Sequence, residues 1–214
     1  MSVSAKICGL SSEAGIEAAV AGGAAYVGFV FYPPSPRAVS PRRAGVLCAG
    51  VPAPVQRVGL FVDADDAAIA AALVAAPLDI LQFHGAETPE RVVEAKRRFG
   101  CKVMKVISVA APEDVATASR YEDAADMLLF DAKPPRRAGA LPGGNGLAFD
   151  WQLIAGRAWR LPWMLSGGLT AELLPEAVRV SGATAIDVSS GVERSPGHKD
   201  LGKIRAFLAA AAAL

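Results

Sequence analysis

Eight short apolar runs, each followed by a segment of helical spacing, constrain this 214-residue chain more than any other feature. The runs lie near Ala5–Cys8, Tyr26–Phe31, Arg57–Val62, Ile80–His84, Val103–Val106, Met127–Asp131, Trp163–Ser166 and Ile186–Ser189. Between them, alanine-rich segments place apolar side chains at i, i+3 and i+4, as in Ile69 with Leu73, or Val92 and Val93 with Lys96. Strands that alternate with helices imply parallel pairing through crossovers. A count of eight predicts the α/β class and a closed (β/α)8 TIM barrel rather than an open sheet. The length is near the lower limit for that fold, so most loops must be short. No second domain or low-complexity linker interrupts the pattern, and residues 1–214 read as a single domain.

Composition serves mainly to exclude. A formal net charge of +1 gives no electrostatic case for nucleic acid. The longest apolar runs, near Ala67–Ala76 and Ala209–Leu214, are too short to span a bilayer, and no targeting segment is expected at the start. A cytoplasmic protein with no membrane partner is expected. Three scattered cysteines, Cys8, Cys48 and Cys101, argue against a disulfide framework and a clustered metal site.

In such a barrel the chemistry sits at the strand C-termini. Side chains alternate along a strand, so Lys6 shares a face with Cys8, Leu129 with Asp131, and Asp187 with Ser189. Arg37 follows the second strand in a proline-stiffened loop, and His84 ends the fourth. Strands seven and eight end in Ser166-Gly167-Gly168 and Ser189-Ser190-Gly191. These turns are expected to hold a phosphate through Gly167, Gly168, Ser189, Ser190 and Gly191. Helical patterns after them, from Thr170 to Val180 and from Lys199-Asp200 onward, would add their N-termini. Neither turn carries a lysine or arginine, so backbone N–H groups and hydroxyls should provide most of the grip.

Spacing leaves alternatives open for each residue. A buried cysteine is usually a small hydrophobe, and Cys48 and Cys101 are read that way. His84 suits scaffold as well as ligand, and Asp131 could cap its own turn. Asp63, Asp65 and Asp66 read as the start of the third helix. The loop from Lys133 to Gly146 is long and rich in Pro, Gly and Arg, as in a lid or a disordered segment, and Arg136 and Arg137 could be solvated charges. Its Gly143-Gly144-Asn145-Gly146 lacks the residues of a P-loop.

Taken in order, Lys6-Ile7-Cys8-Gly9, Gly28-Phe29-Val30-Phe31 with Ser35-Pro36-Arg37, Val58-Gly59-Leu60-Phe61-Val62, Gln82-Phe83-His84-Gly85-Ala86-Glu87, Leu128-Leu129-Phe130-Asp131, Phe149-Asp150-Trp151, Ser166-Gly167-Gly168-Leu169 and Asp187-Val188-Ser189-Ser190-Gly191-Val192-Glu193 with Pro196-Gly197 and Lys199-Asp200 resemble the phosphoribosylanthranilate isomerases of tryptophan biosynthesis. Each block alone is weak; the ordered set covers nearly the whole chain. Two departures stand beside the site. Asn145 replaces a threonine frequent in the family, and Glu172-Leu173-Leu174 stands where an asparagine is frequent.

The resemblance implies an Amadori rearrangement of a phosphoribosyl substrate, with Asp131 as general acid and Cys8 as general base. Arg37, His84 and Asp187 would bind substrate, Arg37 by matching its planar fork to the anthranilate carboxylate. Proton transfers complete such a reaction, so no cofactor or metal is implied, and the chain would act as a monomer or homodimer. The roles ask for a raised Asp131 carboxyl and a lowered Cys8 thiol, with Lys6 as a neighbouring cation. Two rivals are a histidine-pathway isomerase of the same barrel type, against which Cys8 in place of an aspartate argues, and a non-catalytic phosphosugar-binding module.

Overall fold

The computed structural model describes residues 3–134 and 141–214. Among the described residues, eight strands form the barrel: β1 (Ser4–Cys8), β2 (Tyr26–Val30), β3 (Gln56–Phe61), β4 (Ile80–Phe83), β5 (Lys102–Val109), β6 (Met127–Ala132), β7 (Trp163–Leu165) and β8 (Ala185–Val188). They pair in chain order and close into one parallel barrel. At the seam, Lys6 of β1 lies opposite Asp187 of β8. All eight expected runs are strands, with ends moved by a few residues; β5 extends furthest beyond its apolar run.

The helices are α1 (Glu13–Ala21), α2 (Pro41–Cys48), α3 (Asp66–Ala75), α4 (Pro89–Phe99), α5 (Pro112–Ala116), α6 (Leu174–Ser181) and α7 (Leu201–Ala212). Ser12, Ser40, Asp65, Thr88 and Asp200 each accept an orphan N–H of the first turn, which fixes where five of them begin. Gly100 and Gly182 end α4 and α6 in the left-handed conformation. Asp65 and Asp66 open α3 as expected, whereas Asp63 does not. It adopts a φ of 48°, and its carboxylate accepts the N–H of Ala86 at 2.7 Å, joining the loops after β3 and β4.

Three expectations fail for clear reasons. Of the two valines spaced from Lys96 on α4, which point about 100° apart, only one faces the core. Val92 is buried while Val93 is 48% exposed. The helix expected from Thr170 begins only at Leu174, followed by Pro175, after a turn in which Leu173 and Leu174 both donate to the Thr170 carbonyl. Between β6 and β7 the described residues form a single 3-10 turn, Trp151–Leu153, in place of a crossover helix. Gly144, Gly146 and Gly156 take positive φ there. The rings of Trp159 and Trp163 lie 4.9 and 5.7 Å from Phe130, covering the sheet where a helix would pack.

Alternation divides the strand side chains between two cores. Ile7, Phe29, Phe61, Phe83, Phe130 and Ile186 pack outward beneath the helices. Val58, Ile80, Met104, Val106, Met127, Leu129 and Met164 point inward and plug the barrel. Full burial of each such side chain contributes roughly 1.5–3 kcal/mol. Above the plug, the strand C-termini border an open pocket. No helix among the described residues is long and apolar enough to cross a membrane.

Candidate active site

Above the plug lies a pocket walled by the strand C-termini and the loops that follow them. Cys8, Arg37, His84, Asp131, Asp187, Gly167, Ser189, Ser190 and Gly191 all line it. Gly168 is the one expected residue that does not. A Cβ at Gly168 would stand 2.8 Å from the Ala148 nitrogen, so this glycine serves the packing of the loop after β6 against the β7 turn. Arg136 and Arg137 fall outside the described residues.

Cys8 ends β1 beside Lys6. Gly28 on β2 makes room for both, since a Cβ there would lie 3.0 Å from the Cys8 sulfur and 3.2 Å from the Lys6 ammonium. Lys6 is fully buried and donates to Asp187 Oδ1 at 2.9 Å. Burial opposes its charge, but Asp187 and the neighbouring thiol outweigh burial and hold the ammonium above its ordinary value. For Cys8 the expected lowering is not found. Burial pushes the thiol up, and the pull of Lys6 and Lys199 does not offset it.

Asp187 is fixed on both sides, with Lys6 on one oxygen and the Ser166 hydroxyl on the other at 3.0 Å. Across the barrel, Asp131 accepts the Ala132 N–H at 2.8 Å with Oδ1. Its Oδ2 lies 3.4 Å from His84 Nε2, close but not aligned as a hydrogen bond, and that nitrogen has no partner. From outside the barrel, Glu87 steadies the His84 loop by accepting from Gly85 at 3.0 Å and from Lys105 at 2.8 Å.

Arg37 departs from the simple fork. Its Nε and Nη2 each donate to Glu193 at 2.8 Å, and Nη2 also donates to the Gly144 carbonyl at 3.1 Å. Gly143 and Gly144 lie over the pocket rim. A Cβ at Gly143 would stand 2.8 Å from Asp131 Oδ2, and one at Gly144 would stand 2.5 Å from Arg37 Nη1.

Both Ser/Gly turns reach the pocket, but neither opens directly into a long helix. A 3-10 turn, Ser190–Val192, follows β8, then a hairpin of Glu193–Ser195 with His198–Lys199, and only then α7. Nor is the β8 turn without a cation. The hairpin returns Lys199, whose ammonium donates to the Ser189 carbonyl at 2.9 Å, the Ser189 hydroxyl at 3.2 Å and Glu193 at 2.9 Å. The N–H groups of Gly167 and Gly168 donate to no acceptor among the described residues.

Sequence reasoning missed Gln82, Ser166 and the joint role of Glu193 and Lys199. Gln82 shares the inward parity of His84, which is a readable signal. It is 1% exposed, lines the pocket, and leaves Oε1 without a partner. Contact of Glu193 with Arg37 is not readable in this way, because it depends on how the hairpin folds back.

The model of the N-(5′-phosphoribosyl)anthranilate isomerase family matches residues 5–210. The chain belongs to this family. A family member from Paracoccus denitrificans is 58% identical over 213 residues, spanning 100% of this chain and 99% of that protein. Among solved structures, monomers generated from the dimeric Thermotoga maritima isomerase are 35% identical, with a TM-score of 0.85 over 99% of this chain and 100% of that one. A phosphoribosylanthranilate isomerase in complex with reduced 1-(o-carboxyphenylamino)-1-deoxyribulose 5-phosphate is 34% identical, with a TM-score of 0.85 and the same coverage. The pocket sets Gln82, His84 and Asp131, at the ends of β4 and β6, opposite the paired side chains Lys6, Asp187, Arg37, Glu193 and Lys199.

Proposed function

We propose that this chain rearranges N-(5-phosphoribosyl)anthranilate to 1-(2-carboxyphenylamino)-1-deoxyribulose 5-phosphate, with Asp131 as general acid and Cys8 as general base. Family membership supports the reaction. The observation behind the roles is that an acid at the end of β6 and a thiol at the end of β1 line one pocket, with the two Ser/Gly turns in its wall. Residues 1–214 are read as one domain, since strands from both ends of the chain supply that wall.

Asp131 gives a proton to the furanose ring oxygen as the C1–O bond breaks, leaving a protonated Schiff base to nitrogen. Cys8 takes the proton from sugar C2, and the electron pair moves to give the enolamine, which tautomerises to the ketone. Burial favours the neutral thiol in the free enzyme, so Lys6 and Lys199 must stabilise the thiolate that acts. The phosphate is held by the turns after β7 and β8, and the anthranilate carboxylate by Arg37. His84 and Asp187 contact the substrate between them. Because the solved Thermotoga relative is named as dimeric, a homodimer is the first form to look for in solution.

Turnover followed by loss of substrate fluorescence tests this assignment. Cys8→Ala and Asp131→Asn should each lower kcat by about 10²–10⁴-fold while a product analogue still binds. If either variant keeps a quarter of wild-type turnover, that residue is not the proton carrier.

A further inference from the structure

Arg37 is held on every side. Gly9 admits its aliphatic stem, since a Cβ there would lie 2.9 Å from Arg37 Cδ. Gly144 covers its guanidinium, and Glu193 occupies one whole edge through Nε and Nη2. Among the described residues, Nη1 alone of the three nitrogens has no acceptor. Glu193 is itself fixed. Its Oε1 also accepts from Lys199 at 2.9 Å, and its backbone carbonyl accepts from Lys203 on α7 at 2.8 Å. Although burial works against its charge, the bonds from Arg37 and Lys199 hold the Glu193 carboxyl below the usual carboxylate range.

We propose that Glu193 is the positioning residue for carboxylate recognition: it locks Arg37 edge-on, so that the substrate's aryl carboxylate is met by Nη1 alone. This rests on the reading of Arg37 given above. A free arginine side chain has many rotamers, and ordering it on binding costs conformational entropy. Here a second charged pair orders it beforehand. A guanidinium that is buried also needs a counter-charge before substrate arrives, and Glu193 supplies it. The same carboxylate continues through Lys199 to Ser189, whose hydroxyl donates to the Cys8 carbonyl at 3.2 Å. The carboxylate end of the pocket, the phosphate turn and the end of β1 are thus one hydrogen-bonded frame.

The test uses two stable ligands, reduced 1-(o-carboxyphenylamino)-1-deoxyribulose 5-phosphate and its counterpart without the carboxylate, with affinities measured by calorimetry. Wild type should prefer the carboxylate-bearing ligand. Arg37→Ala should abolish that preference. Glu193→Gln should shrink it about tenfold, and Glu193→Asp should do the same by shortening the arm while keeping the charge. In the Arg37→Ala background, Glu193→Gln should change the preference less than twofold. A preference unmoved by both Glu193 variants, with Arg37→Ala effective, overturns the role of Glu193 and leaves that of Arg37 intact. A preference unmoved by Arg37→Ala overturns the reading of Arg37 itself. Equal weakening of both ligands by the Glu193 variants shows a loosened pocket and also overturns the proposal. Thermal unfolding of each variant identifies any that fail to fold, and Glu193→Asp keeps the test open if Glu193→Gln is one of them.

Discussion

The two walls of the pocket obey different rules. On β1, β8, the hairpin and the loop after β2, the charged side chains Lys6, Asp187, Arg37, Glu193 and Lys199 are all paired. On β4, Gln82 Oε1 and His84 Nε2 are buried and have no partner. The difference follows from energetics. A buried lysine or arginine without a counter-charge costs several kcal/mol, so each cation of this wall already has a carboxylate. A buried amide or ring atom without a partner costs roughly 1–3 kcal/mol, which a fold can carry until a ligand supplies one. The paired wall sets the field at the thiol; the unpaired wall keeps free the acceptor and the ring nitrogen that the proposed reaction would give to substrate.

Breaking a pair should have the largest effect on stability. Lys6→Met leaves Asp187 as an uncompensated buried charge and should destabilise the fold by about 3–5 kcal/mol. Adding Asp187→Asn should recover most of the loss. Denaturant unfolding decides: a single variant within about 1 kcal/mol of wild type would mean the pair is not what keeps this wall in place.

The thiol sharpens the comparison. Because burial raises Cys8 above its ordinary value, the thiol form dominates below that value and thiolate gains only as pH rises through it. Inactivation of the free enzyme by iodoacetamide should therefore still be climbing at pH values above about 8.5, where a free thiol levels off. At pH 7 it should be slower than for an unburied thiol. A plateau near neutrality, with protection by product locating the reaction at Cys8, contradicts the burial effect. Cys48, pushed up to about 11 by its own burial, should not contribute near neutrality.

Effects on the neutral wall should be smaller and fall on binding. Gln82→Leu removes an acceptor that has no partner in the free protein. Its thermal stability should hold or rise, while KM rises roughly five- to tenfold, one hydrogen bond's worth. A clear loss of stability with KM unchanged would make Gln82 part of the scaffold. Smallest of all, Ser190→Ala should cost about 1 kcal/mol in substrate affinity, read as KM or as competition by inorganic phosphate. Glycine variants are poorer probes than the turn sequences suggest. A Cβ at Gly191 meets the Leu169 carbonyl, so Gly191→Val distorts the loops before it excludes an anion.

Much of this molecule was determined locally. Strand order, the inward parity of Cys8, Asp131 and Asp187, and five capped helix starts follow from alternation and from small polar residues at fixed offsets. Those are effects of neighbours in sequence, and a reader of the chain recovers them. The position of Arg37 was not determined in that way. Its partner lies 156 residues away in sequence on a hairpin whose fold-back no local pattern encodes. The Cys8 thiol is the same kind of case. Lys6 two residues away suggests a lowered value, but burial under the assembled barrel reverses the sign. The length of the β6–β7 connection was visible, yet its replacement of a helix by tryptophan packing depends on Phe130 offering a face across the sheet. Sequence periodicity specifies which way each side chain points. Only closure of the barrel brings β1 against β8, excludes water, and decides which charges must be paired.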